Sequence, residues 1–357
     1  SDVCSSDLHK DDLGKVIEEG EIPEDIEYAE ERRVFIDFED MPPQLVNAFI
    51  AAAPNYDLLA TEKTKASTLG MTAEAIAEAT PNTKTGLLAL QDLKVAEYIY
   101  VTTNYSYSVN LSDDWNSEGT NTSAANFSNE HWSGTTHNYK NQNDSNGQGW
   151  NANSWTLDFN QDVTLPAGNY VFKVAGRKAS GENTVMSLVV KNGETVLGTV
   201  SDFPGGNAAR GINKAGETSY DEDDAQYANG GKGYGWEWRY VKFTLSEGAT
   251  VNVGISAEGK ANHQWISFGD YTLQTDNEAN VALITYNVAL SNAQTTLANT
   301  TDYGNVTGSE KTVLQSAINA DASLDKTSKT DIDNATTALN DAVAAFTAAK
   351  ASYDAFV

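Results

Sequence analysis

The chain has 357 residues with 23 Lys and Arg against 50 Asp and Glu, a formal charge of −27. So few cations cannot neutralise a run of phosphates, which excludes nucleic acid and an anionic membrane surface as partners. Its one cysteine, Cys4, excludes an intramolecular disulfide framework, and no apolar run is long enough to span a bilayer as a helix.

The acidity is uneven. Residues 1–53 hold 15 Asp and Glu against 4 Lys and Arg, whereas the much longer 106–275 holds 19 against 11. Residues 1–12, "SDVCSSDLHKDD", have no periodicity and resemble translated sequencing-adapter DNA. No secretory-signal pattern opens the chain, so an exported parent is expected to have its true N-terminus elsewhere. The next stretch, "EYAEERRVFIDFEDMPPQLVNAFIAA", resembles the opening of the transglycosylase domain of class A penicillin-binding proteins. In that family a strand and a helix lead into an "E-D-x-x-F-x-x-H" signature, whose Glu is the general base. Ala53, Pro54, Asn55 and Tyr56 stand where that signature would begin, and no His follows. The resemblance therefore implies a truncated fragment over 1–53, joined to unrelated coding sequence and lacking the catalytic Glu.

Residues 54–103 read as a helical lead-in. Thr72, Ala75, Ile76 and Ala79 share a face, and Pro81 ends the run. Leu87, Leu90, Leu93 and Tyr98 then recur near helical spacing.

From 104 to 275 the period changes to two. Trp155, Leu157 and Phe159 alternate with Thr156 and Asp158, and Tyr170, Phe172 and Val174 alternate with Lys173. Asn192-Gly193 is a strong hairpin signal, and Val241, Phe243 and Leu245 face Val251, Val253 and Ile255 across a turn near Ser246–Gly248. Many short antiparallel strands predict an all-β sandwich or jelly roll. The passages "VTLPAGNYVFKVAGR", "GKGYGWEWRYVKFTL" and "WISFGDYTL" resemble galactose-binding-like jelly rolls, the fold of many carbohydrate-binding modules. The pattern is most similar to sandwiches in exported proteins of Bacteroidetes-type bacteria. No residue-level ligand motif defines that group, so the resemblance transfers no sugar contact.

Residues 276–357 return to a helical period. Val281, Ile284 and Val288 form one stripe beside Leu290 and Leu297. Thr307 and Glu310 have capping-box spacing ahead of Val313, Leu314, Ala317 and Ile318. A third helix from Ser328 carries Ile332, Ala335, Leu339, Val343 and Phe346, which completes a three-helix bundle. The tail "LQSAINADASLDKTSKTDIDNATTALNDAVAAFTAA" resembles FIVAR-type helical modules, which implies a spacer or adhesive element.

The candidate chemistry lies in the sandwich. All seven Trp fall between Trp115 and Trp265. Indole faces stack on the C–H faces of sugar rings and give large contact area at low entropy cost. The parity of Val241, Phe243 and Leu245 puts Trp236, Trp238 and Tyr240 on the opposite face. They form either a stacking platform or rings packed under the Gly-rich segment 204–235. Glu237 and Arg239 then point inward and need partners, unless a bulge near Gly235 reverses the parity. "NEHWSGTTHNYKNQNDSNGQGWNANSW" reads as a long loop that sets Trp132, Tyr139 and Trp150 among amides suited to a polyhydroxyl ligand. His131 and His137, six apart, give no zinc pattern. Asp221, Asp223 and Asp224, with Asp270, are candidate ligands for a structural Ca²⁺; the bland alternative is a solvated acidic turn. No other cofactor is expected, because the chain has no P-loop, dinucleotide fingerprint or nucleophile elbow.

The resulting expectation is a multidomain chain, with a galactose-binding-like sandwich flanked by helical segments. Its expected role is a non-catalytic carbohydrate-binding or structural module of a secreted or cell-surface bacterial protein. A glycan and neighbouring domains would be its partners. Two alternatives stay open: a jelly-roll glycoside hydrolase or polysaccharide lyase, and an adhesin that binds no sugar.

Overall fold

The computed structural model describes residues 43–82, 84, 86–111, 127–128, 131–141, 146–179, 181–203, 205, 237–260, 264–303, 306 and 308–354. These fall into two compact units. One gathers the N-terminal helices with Glu237 and Trp238, and the other joins Thr102–Phe203 to Arg239–Val357.

The helical unit has three helices: α1 (Pro43–Leu69), α2 (Ala73–Ala79) and α3 (Gly86–Asn104). α1 carries the chain without a break through Ala53, the expected end of the transglycosylase-like fragment. It stops in a Schellman turn, where the Gly70 and Met71 amides donate to Ser67 and Ala66. Thr72 caps α2 by accepting from the Ala75 amide at 3.2 Å. Leu59, Ala66, Ile76, Leu90 and Leu93 make the core, so the apolar period in α2 and α3 reports their buried faces.

The second unit is built on two six-stranded antiparallel sheets. Sheet one runs β10 (Glu237–Leu245), β7 (Gly168–Lys178), β12 (Gln264–Thr275), β5 (Asn146–Asn151), β4 (His137–Asn141), and β1 (Tyr107–Val109) also pairs with β12. Sheet two runs β2 (Phe127–Ser128), β3 (Trp132–Gly134), β6 (Trp155–Leu165), β11 (Ala249–Gly259), β8 (Thr184–Asn192), β9 (Thr195–Val200). The inward positions close one core in which Phe159, Phe172, Val174, Leu188, Val253 and Phe268 are all at or near zero exposure. Each such side chain contributes about 1.5–3 kcal/mol on burial. The expected β-sandwich flanked by helices is what the chain forms.

Two local devices set the register. Gly193 turns β8 into β9 at φ 55°, a conformation that glycine adopts without strain. A one-residue irregularity between Gly269 and Thr272 lets Ile266 and Phe268 on one side of it, and Leu273 on the other, all face the core.

The C-terminal bundle comprises α4 (Glu278–Ala298), the short α5 (Thr300–Tyr303), α6 (Ser309–Asn319), a 3₁₀ turn (Ala320–Ser323) and α7 (Lys329–Asp354). Its core holds Tyr286, Ala293, Leu314, Ile332, Leu339 and Phe346. The face of α4 differs from the expected stripe. Val288 is 68% exposed, the bundle takes the Ala279, Ala282, Tyr286 and Ala289 face, and Val281 and Ile284 pack on the sandwich core. One helix here serves two cores, so its apolar residues do not mark a single seam. Of the expected capping box, Thr307 lies outside the described residues, and Gly308 stands at the N-cap of α6.

A polar lock fixes the bundle to the sandwich. The Asn280 side chain donates to the Ala167 carbonyl at 3.2 Å and to the Tyr170 hydroxyl at 3.3 Å. The Tyr170 hydroxyl in turn donates to the Pro166 carbonyl at 2.9 Å. A Cβ on Gly168 would come within 2.2 Å of the Asn280 amide nitrogen, so the turn accepts only glycine. Burial pushes the Tyr170 hydroxyl up to about 12, and burial with Asp321 beside it does the same for Tyr286.

Two predictions follow from the lock. Asn280→Ala removes the bonds donated to the Ala167 carbonyl and the buried Tyr170 hydroxyl, which keeps only its bond to Pro166, and lowers stability by about 1–3 kcal/mol in urea unfolding; an unchanged midpoint contradicts the lock. Both tyrosines ionise less readily folded than unfolded, so their contribution is complete below pH 10 and is lost as pH rises towards about 12. Thermal melts across that range are expected to fall for the parent chain and to fall less for Tyr170→Phe.

Candidate functional site

The stacking platform expected on β10 is not open to solvent. Val241, Phe243 and Leu245 do face the core, which places Trp238 and Tyr240 on the other side, yet these two are only 6% and 9% exposed. The Trp238 ring lies 5.3 Å from the ring of Tyr98 on α3. They are packing residues, and Trp236 lies outside the described residues. The charges of opposite parity are paired as that parity requires. Arg239 donates to the Asp202 carboxylate at 3.1 Å and to its carbonyl at 2.8 Å. Glu237 accepts from Lys94 at 2.8 Å, and Lys94 also meets Glu62 at 3.2 Å. No bulge is needed to relieve the buried charge.

The amide-rich segment is largely strand rather than loop. Trp132 on β3 is 2% exposed and packs edge-on against Phe159, with ring centroids 4.3 Å apart. It is a core residue and makes no surface for a ligand. Tyr139 on β4 stands opposite Gln148 in register, and Trp150 on β5 is half-buried. Nearby polar groups tie the backbone together: Thr136 donates to the Trp150 carbonyl at 2.8 Å, and Asn151 donates to the Thr135 carbonyl at 3.3 Å.

A different aromatic pair emerges on sheet one. Trp150 and Trp265 are directly opposite across β5 and β12. Gly149 faces inward, since a Cβ there would meet Ile266 and Leu157 at 3.3 Å, and Ile266 itself is 1% exposed. Alternation therefore turns both indoles to the outer face, where each is half-buried. Neighbouring strands are about 4.8 Å apart, so the two positions are immediate neighbours across the sheet. The Arg177 guanidinium, from β7, sits over the Trp265 ring at 5.3 Å. On β4, His137 is the register partner of Trp150.

Trp265 and Arg177 were legible as a site only in combination. The alternation of "QWISFGDYTL" turns Trp265 outward, but nothing local to either segment announces that β5 and β7 flank β12.

The electrostatics separate the two sheets. The strands of sheet one carry six cations (Lys140, Lys173, Arg177, Lys178, Arg239 and Lys242) and two carboxylates (Glu237 and Asp270). Those of sheet two carry one cation, Lys191, and three carboxylates, Asp158, Asp162 and Glu258. Desolvation by burial pushes the Lys178 ammonium below the ordinary lysine value, against the nearby charge of Glu182. Of the candidate calcium ligands, Asp221, Asp223 and Asp224 lie outside the described residues, and Asp270 lies on β12 at the register irregularity. Among the described residues, no group of three or more His, Cys, Asp or Glu is placed to hold a metal ion. No described helix is long and apolar enough to cross a membrane.

No protein-family profile matches this chain, and no curated protein matches it either. Among solved structures it is similar to carbohydrate-binding modules. One is a family 61 module in complex with β-1,4-galactotriose, at 16% identity over 40% of this chain and 88% of that one, TM-score 0.27. Another is a family 4 module, at 15% identity over 37% of this chain and 72% of that one, TM-score 0.23. A third is the C-terminal family 6 module of a laminarinase from Zobellia galactanivorans, at 19% identity over 35% and 79%, TM-score 0.19.

The two kinds of indole are separable by stability. Trp132→Ala is expected to cost about 3–5 kcal/mol in denaturant unfolding, as for other buried aromatics. Trp265→Ala, half-buried on the outer face, is expected to cost less than half of that. Equal losses would contradict the placement of Trp265 outside the core.

Proposed function

We propose that this chain is a non-catalytic carbohydrate-binding module of a secreted or cell-surface bacterial protein, with Trp150 and Trp265 as its stacking platform. The observation that carries this reading is the register pairing of two half-buried indoles on the outer face of a packed sheet. Rings held at a fixed spacing by backbone hydrogen bonds lose little side-chain entropy when a sugar face settles on them. Two adjacent rings suit two consecutive sugar units of a chain lying across the strands. The C-terminal bundle, locked through Asn280, serves as a rigid connection to neighbouring domains and moves with the sandwich.

Affinity electrophoresis against a panel of soluble polysaccharides tests this. At least one polymer is expected to retard the chain, and Trp150→Ala or Trp265→Ala each weakens that binding by about tenfold or more. Undiminished binding by both variants contradicts the platform. Release of new reducing ends from any polymer contradicts the non-catalytic assignment.

A further inference from the structure

Trp265 is the second residue of β12, and a strand end held by few bonds opens more easily than its middle. The residue before it, Gln264, is held from the opposite sheet. Trp155, Gly259 and Thr184 stand in one register row across β6, β11 and β8 of sheet two, and all three converge on Gln264. The Trp155 indole donates to the Gln264 carbonyl at 3.1 Å, and the Thr184 hydroxyl donates to Gln264 Oε1 at 2.7 Å. Gly259 leaves the room for this, since a Cβ there would come within 2.2 Å of the Trp155 indole nitrogen and 2.9 Å of Gln264 Cβ. Trp155 and Thr184 are 2% and 1% exposed, so water does not compete for either donor. A hydroxyl is buried at little cost only with a partner, and the Gln264 side chain supplies it. On the other side of the strand, the Trp265 carbonyl accepts from the Ala179 amide at 2.8 Å.

We propose that Thr184 and Gln264 are positioning residues for recognition: the Trp155–Gly259–Thr184 row grips the start of β12 and so fixes where Trp265 stands relative to Trp150. This rests on the platform reading above and adds the device that keeps the platform rigid. Gln264 pairs with Asn151 as Trp265 pairs with Trp150, so a shift at Gln264 changes the placement of one indole against the other. An indole free to wander must be ordered when a sugar settles on it, and that lost entropy weakens binding. Thr184 faces the interior and acts only through Gln264.

Thr184→Val keeps the side-chain shape and removes the hydroxyl, and Thr184→Ser keeps the hydroxyl. Affinity gels cast with xyloglucan, galactomannan or hydroxyethyl cellulose read binding by the full chain. The polymer that most retards the parent is expected to bind Thr184→Val about threefold or more weakly, within the range of one hydrogen bond, and Thr184→Ser nearly as well as the parent. Asn280→Ala, which lowers stability from the far side of the sandwich core, is expected to leave retardation unchanged, which separates positioning from a general loss of stability. In the ¹⁵N-labelled chain without sugar, Thr184→Val is expected to move or broaden the Trp265 indole signal and to leave that of Trp132 in place. Gln264→Met loses the same acceptor and repeats both measurements where Thr184→Val folds poorly. An unchanged Trp265 signal overturns the proposal. So does undiminished retardation of Thr184→Val by a polymer whose binding Trp265→Ala weakens, and in that case the platform still stands. If Trp265→Ala is retarded as strongly as the parent, or no polymer retards the parent, the platform itself falls and the proposal with it.

Discussion

The alternation of apolar and polar residues on β6, β7, β11 and β12 closes two sheets over one dry interior, and every functional statement depends on that closure. Once Phe159, Phe172, Val253 and Phe268 are inside, the pleat leaves no freedom in where their neighbours point. Ile266 inside means Trp265 outside. Gly149 against Ile266 and Leu157 means Trp150 outside. The register of β5 on β12 then sets the two indoles side by side without any contact designed for that purpose. A one-residue slip of either strand would send one indole into the core and part it from the other.

Three of the five described tryptophans are packing residues. Trp132 and Trp155 fill the interior, each 2% exposed, and Trp238 is held against Tyr98. Trp155 keeps its indole N–H satisfied by donating to the Gln264 carbonyl at 3.1 Å, one residue before Trp265. A ring that anchors the turn of a strand and a ring that stands on the next position are thus linked through the backbone. The inner indole fixes the strand that presents the outer one.

How much of this could be read from the residues alone varies by element for physical reasons. Period-two runs such as "WTLDFNQ" report which face is inside, because the core tolerates only one parity. That reading placed Trp238 and Tyr240 correctly on the face opposite Val241, but a single strand does not say whether its second face is wet. The segment 129–155 hid three strands because β4 and β5 are rich in Asn and Gly, residues that strands otherwise disfavour and that read as turns. On α4 the apolar residues serve two cores at once, so Val281 and Ile284 belong to the sandwich and Tyr286 to the bundle. The register that unites Trp150 with Trp265 is a long-range pairing, which no local pattern encodes.

Whether Trp150 and Trp265 form the proposed platform is the direct question, and indole N–H resonances answer it one ring at a time. In a ¹⁵N-labelled chain titrated with a bound oligosaccharide, the signals of Trp150 and Trp265 are expected to shift together. Those of Trp132 and Trp155 are expected to stay in place. Shifts confined to other tryptophans, with Trp150 and Trp265 unmoved at saturation, would contradict the account.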